Sequence, residues 1–251
     1  MRVEEQIAAY AKARATGLTL DSVCIGVGYT GVILSDGSGG VSYTFREHLG
    51  SSCGVIRQAG GLKGMPAEDV IPWTCSDNLA EASVGMAVVN AVLNRGYERG
   101  SNIAEAVECS SDDVVGMIGW FCPLVWKYQT AGKFYIFEQD PVSCAPSGNA
   151  QILDAERAYE ILPGCTKVVL TGTSFINKTA DRLLASCRNA REIILVGAST
   201  PMCPEVLKEY GVTILAGTQI TDAPRMMRII AEGGGGMDLS PASEKLLERI
   251  I

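Results

Sequence analysis

The sequence predicts an α/β protein: a small α+β part, then a mostly parallel sheet with helices on both faces. Three observations carry this. Residues 18–45 alternate as strands around a hairpin turn. A long apolar helical stretch follows at 76–94. From residue 114 five short apolar runs recur with helical or loop segments between them, the alternation of a parallel sheet.

The elements follow in order. Residues 2–15 place Val3, Ile7 and Tyr10 at helical spacing among charges, which is an amphipathic helix. The stretch from Leu18 to Ile33 is rich in strand formers and interrupted by Gly26, Gly28 and Gly31. SDGSGG at residues 35–40 is a hairpin turn, and residues 41–45 alternate as the return strand, so the first part is a meander of two or three strands. Residues 46–75 are irregular, with Gly60, Gly61 and Gly64; this loop is a mobile site element or a simple connection. The helix SDNLAEASVGMAVVNAVLN takes Ser76 or Asp77 as its N-cap and ends near Asn94–Gly96. Its Ala82, Gly85, Ala87 and Ala91 form a small-residue surface for close packing. Asn90 within it needs partners, either a loop to tie down or a ligand. Residues 101–108, from Ser101, form a short helix. The boundary falls near residues 105–112 and divides the chain into 1–108 and 109–251. The five runs of the second part are 114–119, 134–137, 168–171, 193–196 and 212–215.

Composition narrows the class. The 251 residues are 47% hydrophobic and 20% charged, with a mean hydropathy of +0.17, which supplies ample core. A net charge of −7, a pI of about 4.9 and the lack of any Lys/Arg cluster argue against nucleic-acid binding. No apolar run approaches the roughly 18 residues of a membrane helix; the longest, residues 114–126, is broken by Pro123. The N-terminal MRVEEQIAAYAKARA carries early acids and no apolar core, unlike a signal peptide, so a cytoplasmic location is expected. Nine cysteines (Cys24, Cys53, Cys75, Cys109, Cys122, Cys144, Cys165, Cys187 and Cys203) are scattered, odd in number and without a C-x-x-C, which favours free thiols. Cys24 lies in a strand pattern and reads as a small core residue. One histidine and no paired cysteines argue against a sequence-local zinc site.

The most informative stretch is KVVLTGTSFINKT, residues 167–179. A buried-strand run ends in Gly172, Thr173 and Ser174, and Asn177 and Thr179 open a helix. Such a turn builds a ligand site from short hydroxyl hydrogen bonds and a close backbone approach, or it is a capped connection with no ligand. Ligands of parallel sheets bind at the strands' carboxyl ends. Those ends hold Gly119, Trp120, Phe121, Cys122 and Pro123; Glu138, Gln139 and Asp140; Gly172, Thr173, Ser174 and Asn177; Gly197, Ser199, Thr200 and Pro201; and Gly217, Thr218 and Asp222. An acid such as Glu138 at the end of the second strand accepts from ribose hydroxyls in nucleotide sites, or is simply exposed. The first loop, G-M-I-G-W-F, is not G-x-G-x-x-G, and Trp120 and Phe121 would obstruct a pyrophosphate. These two aromatics stack on a flat ring or belong to the core. Imidazole suits general acid–base work near neutral pH, so His48 is a candidate for it, or an ordinary surface residue.

The segments VCIGVGYTGVILSDGSGGVSYTF, SDNLAEASVGMAVVNAVLN, VGMIGWFCPLVWK, FYIFEQDP, LTGTSFINKT, LVGASTP and GVTILAGTQI together resemble a heavy-metal chelation family of bacteria and archaea, formerly a domain of unknown function. The match runs over nearly the whole chain. TGTSFIN and VGASTP are its most specific parts, and the loop 46–75 with His48 and Cys53 matches least. The resemblance implies an N-terminal domain like that of enolase, a Rossmann-like domain with partial similarity to methyltransferases, and a site between them. It implies heavy-metal chelation, or condensation or hydrolysis of pterins, flavins or siderophores. The matching positions are Tyr29, Thr30, Asn78 and Asn90 in the first part. In the second they are Gly119, Phe121, Pro123, Glu138, Thr171, Gly172, Thr173, Asn177, Ser199, Thr200, Gly217 and Asp222.

Four readings stay open at this point. The first is a binder of a metal chelate or small organic chelator, since oxygen-rich strand ends suit a complexed metal better than a bare soft one. The second is an enzyme on a pterin-like or flavin-like substrate, with Glu138 or His48 as acid/base and the 171–177 turn, including Asn177, holding the substrate. The third is an S-adenosylmethionine-binding protein, and the fourth a non-catalytic interaction module. The small-residue helix suits a homodimer or an internal core equally.

Overall fold

The computed structural model describes residues 1–49, 54–100, 102–139 and 148–250. Cys53, Ser101, Asp140 and Cys144 lie outside the described residues.

Helix α1 (Val3–Lys12) buries Val3, Ile7, Ala8 and Ala11, an apolar stripe at helical spacing. Strands β1 (Leu20–Ile25), β2 (Tyr29–Leu34) and β3 (Gly39–Tyr43) then pair antiparallel in the order β1-β2-β3. The short α2 (Ala67–Val70) leads to α3 (Leu79–Leu93). All residues of α3 except Leu79 and Glu81 are buried, so its apolar side chains run round the whole helix.

The N-cap of α3 is Asn78 rather than Ser76 or Asp77. Asn78 Oδ1 accepts from the Ala80 amide at 2.9 Å, whereas the Ser76 hydroxyl donates to Glu81 at 2.6 Å and accepts from the Asn78 amide. The small-residue surface of α3 serves close packing. A Cβ at Gly40 would overlap the Ala87 carbonyl, and one at Gly85 would overlap the Thr74 amide. Gly39, the next residue along β3, meets Ile220 and Ala223 on the other side, because successive strand residues face opposite ways.

The predicted helix at 101–108 is shorter, α4 (Ile103–Ala106), with Asn102 as its cap. Beyond it come β4 (Val114–Ile118), α5 (Cys122–Tyr128), β5 (Lys133–Glu138), β6 (Ala150–Asp154), α6 (Ala158–Ile161), β7 (Lys167–Thr171), α7 (Ala180–Ser186), β8 (Glu192–Val196), α8 (Pro204–Leu207) and β9 (Ile214–Ala216). Hairpin strands β10 (Thr218–Ile220) and β11 (Ser243–Lys245) flank α9 (Ala223–Ala231), and β12 (Glu248–Arg249) closes the main sheet.

That sheet runs β12-β9-β8-β7-β4-β5-β6, parallel throughout except for β12. The five apolar runs are five of its strands. The fifth begins at Ile214, two residues later than its apolar run. β6 and β12 are additional: β6 carries only Ile152 and Leu153 as large apolar residues, and β12 spans two residues. From β4 to β9 the order is that of doubly wound nucleotide-binding sheets.

The chain then returns to its beginning. Helix α9 buries Ala223, Met226 and Ile230 against β1–β3, and a Cβ at Gly31 would stand 2.5 Å from Ile230 Cδ1. The first sheet is thus packed between α3 on one face and α9 on the other. Among the described residues no helix is long and apolar enough to cross a membrane.

Candidate functional site

A cleft of about 310 Å³ opens above the carboxyl ends of β4, β5 and β7. Strand order reverses between β4 and β7, and sheets of this kind bind ligands in the crevice outside that point. The opposite wall comes from β3 and the turn after it: Tyr43, Phe45, Arg46, Glu47 and His48. Tyr43, Phe45 and His48 meet edge to face, with ring centroids 5.0 Å and 6.0 Å apart, so the imidazole at the rim is braced by an aromatic row. Tyr159, across the cleft, is covered by the Arg182 guanidinium 3.4 Å from its ring centroid.

The β7 turn supplies the polar floor. The Thr171 and Thr173 hydroxyls lie 3.0 Å apart. Ser174 donates to the Thr171 carbonyl at 2.8 Å, which keeps that buried hydroxyl inside the turn. Asn177 Oδ1 accepts from the Thr179 hydroxyl at 2.7 Å and the Thr179 amide at 3.3 Å. Among the described residues, the Asn177 Nδ2 donors have no partner. Glu138 and Gln139 enter from the end of β5, and Gly119 from the end of β4 with a left-handed φ of 90°. A Cβ at Gly119 would make only ordinary contact with Phe121 and Thr171 at 3.4 Å, so it is the left-handed backbone that favours glycine here.

The β8 turn does something else. Ser199 accepts from the Tyr43 amide at 2.8 Å. Asn94 donates to the carbonyls of Thr200 (2.9 Å) and Thr218 (3.1 Å) and accepts from the Met202 amide (2.8 Å). Asn90 Nδ2 donates to Val41 of β3 at 2.8 Å and, more weakly, to Ala198 at 3.4 Å, tying strand to turn, while its buried Oδ1 has no partner among the described residues. Thr200 is fully buried, and a Cβ on Gly172 would stand 2.6 Å from its amide nitrogen.

The structure therefore gathers Glu138, Asn177, His48, Gly119, Thr171 and Thr173 around one cleft. Phe121 lies beside it against Gly119 and Gly197, and Pro123 sits in the first turn of α5. The remaining residues stand elsewhere. Tyr29 packs edge to face on Tyr43 at 6.0 Å, and burial raises its phenol pKa. Thr30 bonds Thr44 within the first sheet at 2.9 Å. Asn78 caps α3 and Asp222 caps α9. Gly172, Ser199 and Thr200 join the two turns to each other and to the first sheet. Gly217 packs on Met202. Sequence reasoning left out Tyr43, Phe45, Arg46, Glu47, Glu156 and Tyr159, all of which line the cleft. The last two follow β6, whose short run gives little strand signal; Asp154, accepting from the Glu156 amide at 2.9 Å, is the helix-start cue that marks them.

Among the described residues no three His, Cys, Asp or Glu side chains stand together as metal ligands. The cleft offers hydroxyl, amide and carboxylate groups rather than the thiolates that a bare soft cation prefers.

A doubly wound sheet with an oxygen-rich crevice, roofed by a small α+β layer, defines a Rossmann-like fold with a second, α+β part. The chain belongs to the family described as "Putative heavy-metal chelation", whose two models match residues 8–93 and 102–248. It is 30% identical to an uncharacterized protein of Methanocaldococcus jannaschii over 184 residues, 71% of this chain and 70% of the relative. It is also similar to two solved structures of family proteins of unknown function. The one from Desulfitobacterium hafniense has a TM-score of 0.80 and 26% identity over 98% of both chains. The one from Pyrococcus horikoshii has a TM-score of 0.79 and 22% identity, covering 99% of this chain and 100% of that one, and speaks to the fold alone.

Proposed function

We propose that this protein holds a small oxygen-rich organic chelator, free or carrying its metal, in the cleft between residues 1–108 and 109–251. The observation that carries the reading is Asn177. Its carbonyl oxygen is committed to Thr179 while its amide donors have no partner among the described residues, beside the paired hydroxyls of Thr171 and Thr173. Those donors suit carbonyl or carboxylate oxygens, and Glu138 accepts from a ligand hydroxyl or amine. The metal is cargo, coordinated by its own ligand.

A second reading has one specific support. Glu138 and His48 line the same cleft from different parts of the chain, a placement that allows acid–base chemistry on a molecule lying between them. Condensation or hydrolysis of a pterin-, flavin- or siderophore-like substrate fits this arrangement. The S-adenosylmethionine reading has less support, because the Phe121 ring lies against Gly119, where a nucleotide's phosphates or methionine would approach.

Native mass spectrometry with metal analysis, on protein purified from anaerobically grown cells, tests the first reading. The expected result is an organic mass, with or without metal, that is absent from Asn177→Ala. A stoichiometric bare-metal site of nanomolar affinity in the apo protein would overturn it.

A further inference from the structure

Lys178 follows Asn177 directly, and its side chain does not join the cleft. It is the only non-glycine residue with a left-handed backbone among the described residues, at a φ of 64°. That conformation is disfavoured for L residues and persists where the surroundings hold it. Here the Lys178 ammonium donates to the Thr74 carbonyl, on the far side of the interface with the first part of the chain, and to Phe175 at 3.4 Å.

Glu4 of α1 comes to the same place. It is 1% exposed, and neither carboxylate oxygen has a hydrogen-bond partner among the described residues. Burial raises the Glu4 pKa and lowers that of Lys178, and each of the two charges favours the charged form of the other. Arg2 adds to the attraction on Glu4, while Asp181 opposes it. Asp181 Oδ1 in turn accepts from the Val3 amide at 3.1 Å. Residues 3–4, 74 and 175–181 therefore meet behind the cleft floor. A buried carboxylate without hydrogen bonds is unfavourable by itself, and the Lys178 charge, though not within ion-pair distance, eases the cost.

We infer that Lys178 is a positioning residue: its ammonium, donating to the Thr74 carbonyl near the buried Glu4, bolts the Asn177 turn to the first part of the chain and so aims the Asn177 amide into the cleft. The inference rests on the cleft reading above and deepens it. The chain turns at the left-handed Lys178, with Asn177 lining the cleft and the Lys178 ammonium held on the Thr74 carbonyl.

The test uses the full chain without added ligand. The Asn177 side-chain amide is assigned in a ¹H–¹⁵N spectrum by its loss in Asn177→Ala. In Lys178→Met, which keeps the stem and loses the ammonium, that resonance leaves its native position as Asn177 Oδ1 loses its hold on Thr179. The amides of residues 176, 177 and 179 exchange at least about tenfold faster, as expected for loss of a charged hydrogen bond, while those of β7 are unchanged. Lys178→Arg, which retains charge and donors, restores the Asn177 resonance. An unmoved resonance in Lys178→Met overturns the inference, and so does a failure of Lys178→Arg to restore it. Should Lys178→Met not fold, Glu4→Gln is read in the same way, and an unchanged Asn177 amide again overturns it. Because no ligand enters, failure here leaves the cleft reading standing; that reading fails separately, in the mass measurement.

Discussion

The turns after β7 and β8 touch each other and draw on the same materials, a glycine and short hydroxyl side chains, yet they work on different surfaces. In the β7 turn, Thr171, Thr173 and Asn177 are half-buried and line the cleft. In the β8 turn, Ser199 and Thr200 are 2% and 0% exposed, and the hydrogen bonds run to Tyr43 and Asn94. A hydroxyl-rich strand end is thus an adaptable connector. What stands opposite decides its role: an open cleft for β7, and the polar residues of α3 and β3 for β8.

If this division is right, substitutions on the two sides separate stability from binding. The largest loss of stability is expected from Asn94→Ala. It strips the partners from two buried carbonyls and one buried amide, at a cost of about 3 kcal/mol in urea denaturation. A loss below about 1 kcal/mol would mean that the β8 turn holds itself without α3. Next comes Gly172→Ala, where the two turns meet. The new Cβ would crowd the Thr200 amide and cost about 2 kcal/mol; a neutral result would show that the turns can part. The smallest change in stability belongs to Asn177→Ala, under about 1 kcal/mol, together with loss of the retained small molecule. Should Asn177→Ala prove as destabilising as Asn94→Ala, the contrast between the turns collapses.

Much of this was legible in the sequence, for identifiable reasons. Five strands of the main sheet announce themselves because parallel strands covered on both faces read as unbroken apolar runs, as in Val168–Val169–Leu170. The cleft floor is legible because its strand ends fall where such sheets place ligands. What the pattern cannot separate is Thr173 from Thr200: both are hydroxyl residues just past a strand, but Thr173 lines the cleft while Thr200 is buried, its hydroxyl unpartnered among the described residues and its carbonyl held by Asn94. The cap of α3 went to Asn78 because three neighbouring residues can all cap, and their mutual bonds decide among them. Helix α9 carries its buried Ala223, Met226 and Ile230 at helical spacing, but its partner is a sheet nearly two hundred residues earlier. Gly31 likewise reads as an interruption of a strand and Gly39 as part of the hairpin turn, and their cause, the close approach of α9 and β10, is equally remote in sequence.

That remoteness has a consequence for synthesis. Ribosomes release a chain from its N-terminus at about 5–20 residues per second. Strands β1–β3 emerge early and acquire α3 soon afterwards, but the face lined by Gly26, Gly31 and Gly39 stays bare until residues 220–230 have been made. The first sheet to be translated is among the last to be covered, and a nascent chain halted after α3 carries that open face into the cell.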